Sequence, residues 1–136
     1  MSGKSDYLEA KVLDHILGGP AYTAPATVYF ALFLTVPEDD GTVTEVSGTN
    51  YARVAITNND TNFPAATGTN PTRKRTGVAV EWDTAGSYWG VVQAWGIYDD
   101  PTAGNLLYWG YVTPQYEVLS GDKPRFNVAQ IIIYES

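Results

Sequence analysis

Between residues 6 and 17 the apolar positions recur in steps of three and four: Leu8, Val12, Leu13, Ile16 and Leu17, separated mostly by polar residues. That period predicts an amphipathic helix of about three turns. Asp6 is placed to cap it, Glu9 follows in the capping-box position, and Gly18, Gly19 and Pro20 stop it. A helix this short is marginal alone in water. Its stripe therefore has to dock, either on its own domain or on a neighbouring subunit.

After Pro20 the pattern changes. "TVYFALFLT" (27–35) is a β-branched and aromatic run bounded by prolines, which predicts a strand buried on both sides. "TVTEVS" (42–47), "YARVAIT" (51–57) and "GVAVEW" (77–82) follow as shorter strands, with 58–76 as a long loop rich in Asn, Thr and Pro. "SYWGVVQAWGIYD" (87–99) and "LLYWGYVT" (106–113) flank the turn "DPTAGN", and "PRFNVAQIIIYES" (124–136) closes the chain after "SGDK". Strict alternation over 89–97 puts Trp89, Val91, Trp95 and Ile97 on one face and Gly90, Val92, Ala94 and Gly96 on the other. The pattern predicts an all-β fold: an antiparallel β-sandwich, Ig-like or jelly-roll-like, of about seven to eight strands with a short N-terminal helix. The expected division is a docking helix over 1–20 and a sandwich over 21–136, forming one structural domain.

Charge narrows the function. With 8 Lys and Arg against 15 Asp and Glu the formal net charge is −7, which opposes general binding to nucleic acid or to an anionic membrane surface. There are no cysteines, so disulfides and thiolate metal sites are excluded. The opening residues lack the apolar stretch of a signal peptide, and no run approaches the roughly 18 apolar residues of a membrane span. The expectation is a protein made and left soluble in a cytoplasm.

Candidate chemistry is sparse. One histidine, His15, and no G-x-S-x-G elbow leave little from which to build a nucleophilic triad. Asp39–Asp40 and Asp99–Asp100 fall at turns, where such side chains cap backbone amides. A glycosidase pair or a calcium loop is the sharper alternative at either place. Arg73, Lys74 and Arg75 form a cationic spot inside the long polar loop, read either as solvated surface or as a contact for an acidic neighbour. Tyr88, Trp89, Tyr108 and Trp109 are candidates for a surface that meets a glycan or a protein. No catalytic residue, cofactor or metal site is expected.

Several stretches together resemble a family of short bacteriophage virion proteins commonly labelled phage tail fibre proteins. They are "SDYLEAKVLDHILGGPAYTAPATVYFALFLTVP", "TEVSGTNYARVAIT", "VQAWGIYDDPTAGNLLYWGYVT" and "LSGDKPRFN", in that order along nearly the whole chain. The middle segment 58–83 is longer and more polar than the family pattern, and Tyr98 stands where Phe is usual. The resemblance implies a non-enzymatic structural component of the virion, assembled in the host bacterial cytoplasm with other phage proteins (major capsid or tail proteins) as partners. A capsid decoration (cement) protein on the outer head surface is the first reading; a tail fibre, tail adaptor or receptor-binding domain is the alternative. Self-association is expected, with a trimer as the specific form. The interface candidates are Leu8, Val12, Leu13, Ile16, Leu17, Arg73, Lys74, Arg75, Tyr88, Trp89 and Trp109.

Overall fold

A computed structural model describes residues 2–135. At its centre two long strands, β6 (Gly90–Tyr98) and β7 (Leu106–Val118), pair antiparallel across the turn at 99–105. β2 (Thr27–Phe33) lies on the other side of β6 and carries β3 (Val54–Thr57), while β1 (Ser2–Lys4) pairs with β7. The result is a five-stranded antiparallel sheet in the order β1-β7-β6-β2-β3. Two ribbons complete the strands: β4 (Thr72–Arg75) with β9 (Ile132–Glu135), and β5 (Val80–Glu81) with β8 (Arg125–Phe126). The helix α1 spans Asp6–Ile16.

The fold is all-β with a short N-terminal helix, as the periodicity predicts. Its second layer differs from an Ig-like or jelly-roll arrangement. Instead of a second continuous sheet there are two separate ribbons, because the apolar runs at 77–82 and 124–136 are broken by turns into strands of two to four residues. The stretch 42–47 makes an isolated bridge, Phe33 to Glu45, rather than a strand. The predicted long loop 58–76 contains β4, whose partner β9 lies some sixty residues further on and leaves no local trace in the sequence.

The main core joins Phe30 and Leu32 of β2, Val92, Trp95 and Ile97 of β6, and Val80, Trp82, Ile131 and Ile133 from the ribbon side. A smaller cluster on the opposite face holds Ala31, Phe33, Ala94, Tyr98 and Leu106, with Trp109 packed against it. Strict alternation along β6 fails between two irregularities: Val92, rather than Val91, faces the main core. Gly90 has φ 105, and the ladder shifts register between Val92 and Ala94. Each irregularity reverses which face the next side chain takes. Two reversals cancel, so Trp89, Trp95 and Ile97 share the predicted side and only the residues between them exchange.

The pairing Trp95–Gly110 and Gly96–Trp109 sits in the middle of the β6–β7 ladder. A methyl group on Gly110 would lie 2.6 Å from Cε2 of Trp95, and one on Gly96 would run into the Phe33 ring. Glycine at both places lets a large ring lie against bare backbone. Gly110→Ala is expected to lower stability by about 1–3 kcal/mol, the usual cost of overpacking a filled core, read as a fall in the urea midpoint.

Candidate functional site

Helix α1 is tied to the sheet at its N-terminal end, and in its last turn His15 Nδ1 accepts from Tyr22 N at 3.0 Å. Its N-cap is Ser5 rather than Asp6: the Ser5 hydroxyl accepts from Leu8 N at 3.2 Å and donates to the Leu106 carbonyl. Ser5 N donates to Leu107 O at 3.0 Å, so a single buried residue ties the helix to β7. Leu8 is 5% exposed and belongs to the main core, so all it offers the candidate interface is a wall of the adjoining groove. The rest of the stripe is open: Val12 is 36%, Leu13 60%, Ile16 68% and Leu17 75% exposed. The helix thus docks on its own domain through its first turn and leaves three apolar side chains of its last turns in water.

Beside the helix lies a cavity of about 390 Å³. Leu8 and Val12 form one wall, Phe63, Ile97 and Ile133 are among its other apolar lining, and Arg73 and Lys74 of β4 also border it. The exposed stripe therefore adjoins an apolar groove bordered by Arg73 and Lys74 and by Glu135, whose carboxylate is paired with Lys4. Arg73 and Lys74 are half-buried and Arg75 is exposed, and all three lie on a strand rather than in a free loop. Among the described residues none of the three makes an ion pair, whereas Lys4, Arg53, Lys123 and Arg125 do.

The aromatic candidates divide. Trp89 is 3% exposed, its indole donating to Thr49 O at 3.0 Å and its ring edge-on to Tyr51, so it is core and not surface. Trp109 is half-buried under β1, its ring against Gly3 and edge-on to Tyr111. Tyr88 is exposed, with its hydroxyl donating to Glu117 at 2.9 Å. Tyr108 lines the groove, and its hydroxyl donates to Glu135. The exposed rings that sequence reading missed are Tyr111 and Tyr116. Tyr116 lies past "LLYWGYVT" (106–113), where β7 runs on as far as Val118.

The paired aspartates serve their turns. Asp40 accepts from Thr42 N at 2.8 Å, Asp100 from Thr102 N and Ala103 N, and Asp99 from Asn105 N. These backbone bonds hold the Asp40 and Asp100 carboxyls below the usual carboxylate range. The hairpin turn is also gripped from outside. Arg53 Nη1 donates to the Asp100 and Ala103 carbonyls, both at 2.8 Å. The same guanidinium makes a two-pronged contact with Glu45 and lies 3.6 Å from the Tyr98 ring centre. No group of three or more His, Cys, Asp or Glu suited to a metal occurs among the described residues, and no helix there is long and apolar enough to cross a membrane.

The family model for the podophage GP4 fiber I protein gp80 matches residues 3–134. The chain belongs to that family. The match runs from β1 to β9, so it covers the residues of the stripe, the groove and the hairpin together rather than one motif. No curated protein matches the chain.

Two tyrosines give the fold an alkaline limit. Burial, then the Glu135 carboxylate, pushes Tyr108 up to about 12, and burial followed by Glu45 raises Tyr51 further. A tyrosine whose folded pKa exceeds its unfolded value near 10 contributes stability that is intact below pH 10 and lost as pH rises through the folded value. The urea midpoint is expected to be flat up to about pH 10 and to fall from there to about pH 12. Tyr108→Phe should flatten part of that fall.

Proposed function

We propose that this protein is a non-enzymatic structural component of a podophage fibre, joined to other virion proteins through the open stripe of α1 and the groove beside it. The observation that carries this reading is the exposure of Leu13, Ile16 and Leu17 on a helix whose core contact is Leu8 of its first turn. Contiguous apolar surface of this kind on a soluble domain marks a contact site. Covering a leucine contributes about 1.5–3 kcal/mol, and the neighbouring cations favour an acidic partner surface. The family match supports a fibre over a head decoration protein, because the family it names is a fiber protein. Residence in the virion and contact with further copies of the chain or with tail proteins follow from the same reading, with a trimer as the self-associated form.

The helix supplies a clean test, because its stripe can be altered without touching the core. Deleting the first 19 residues would be a poor choice, since it also strips β1 from the sheet edge. In a phage carrying Leu13→Ser with Leu17→Ser, both sites being exposed, the purified chain should keep its thermal midpoint, within about 0.5 kcal/mol of stability. Its incorporation into particles should fall roughly 100-fold or more. Particles carrying the variant at the wild-type copy number would reject the docking role.

A further inference from the structure

A second recess lies at the other end of the β6–β7 ladder, and its chemistry differs from that of the groove. Between the pairs Ala94–Tyr111 and Val92–Tyr116, β6 advances two residues while β7 advances five. Three extra residues are forced out of the ladder, and Val112–Gln115 bulge away from β6, with a cis bond between Thr113 and Pro114. Opposite the bulge runs the segment from Lys123 to Gln130. The cleft between them holds about 450 Å³, within the roughly 300–1,000 Å³ of small-molecule sites.

Its lining combines apolar surface with uncharged polar groups. Leu32, Val92 and Trp95, all buried core residues, form its apolar base, and Tyr116, 43% exposed, stands at the side. Gln115 donates to Gln93 at 3.3 Å and keeps its carbonyl oxygen free, while Gln130 accepts from Asn127 N at 2.8 Å and keeps its amide nitrogen free. Among the described residues the Thr113 and Tyr116 hydroxyls make no hydrogen bond. Donors and acceptors of both senses are thus available beside aromatic and aliphatic surface. The two cations of the lining, Lys123 and Arg125, are both engaged with Glu81, at 3.4 and 3.3 Å.

We propose that this cleft binds an uncharged saccharide built of hexopyranose units. Such a sugar has an apolar C–H face that stacks on a ring, and a rim of hydroxyls that each donate and accept. It therefore needs apolar surface and free neutral hydrogen-bonding groups side by side, which the cleft supplies; in the groove beside α1 the Asn58 amide and the Tyr108 hydroxyl are already engaged, with Pro25 O and Glu135. No carboxylate lines the cleft, so there is no acid–base pair to cleave a glycosidic bond; the site holds its ligand unchanged. The proposal is independent of docking through α1, since the two surfaces share no lining residue.

The test is saturation-transfer NMR on the full chain with methyl α- and β-glucosides, galactosides and mannosides and their short oligosaccharides, with methyl glucuronide as the charged comparison. At least one neutral probe is expected to bind with a dissociation constant in the millimolar range or tighter, unchanged by added salt. Tyr116→Ala and, separately, Gln115→Ala should each weaken that binding by about tenfold, while Tyr88→Ala, removing an exposed ring outside the cleft, leaves it unchanged. Two variants at exposed positions guard against loss of fold in either one. Absence of binding by every neutral probe overturns the proposal, as does binding indifferent to both cleft variants. Binding confined to the glucuronide and abolished by salt overturns the assignment of an uncharged ligand.

Discussion

Two Trp–Gly dipeptides facing each other in antiparallel register hold this structure in one arrangement. Trp95 stands opposite Gly110 and Trp109 opposite Gly96, so each strand contributes one large ring and one bare stretch of backbone. Neighbouring residues of a strand point to opposite faces, so Trp95 enters the main core and Trp109 packs on the smaller cluster behind the sheet. A slip of one residue would set ring against ring and exchange the two faces. The shape of both faces, and the path of β7 that carries the helix anchor, follow from this single register. Ser5 binds to Leu106 and Leu107, three residues or fewer from Trp109, so α1 is located relative to the same pairing.

Much of this is legible in the residues themselves. The helix stripe, the buried run at 27–35, the hairpin and the capping aspartates all rest on local patterns, and local patterns survive folding. What stays hidden depends on distant partners. Three residues at 2–4 carry no strand signal and become one only because β7 offers an edge. Arg73, Lys74 and Arg75 sit in a sequence that reads as loop, and pairing with Ile132–Glu135 makes them a strand. Trp89 offers its ring as a surface candidate, yet the face it shares with Trp95 and Ile97 is the one that the core covers, and the ring lies edge-on to Tyr51. The bulge at 112–115 is only half readable: Pro114 reads as the end of the strand at 113, whereas β7 bulges there and runs on, and only the partner strand reveals that three extra residues are present.

The candidate surfaces lie along one ladder but at different ends and with different chemistry. The groove takes Ile97, Leu107 and Tyr108, near the hairpin turn, and is almost wholly apolar apart from its bordering charges. The cleft takes Val92 and Tyr111–Tyr116, at the far end, and mixes rings with amides. Apolar area suits contact with another folded protein, where shape and dehydration supply the affinity. A mixed lining suits a ligand that brings its own hydroxyls. A small domain can hold both because its rigid centre separates them, so that occupancy at one end need not disturb the other.

Arg53 gives the hairpin a property of a different kind. Its guanidinium grips the turn through the carbonyl oxygens of Asp100 and Ala103, atoms that every amino acid possesses. Recognition of main chain rather than side chain separates the shape of the tip from the identity of the residues that form it. Pro101, Thr102 and Ala103 can accordingly drift between relatives while the loop keeps its contour, and a phage lineage could diversify the outermost point of this hairpin without rebuilding the scaffold beneath it.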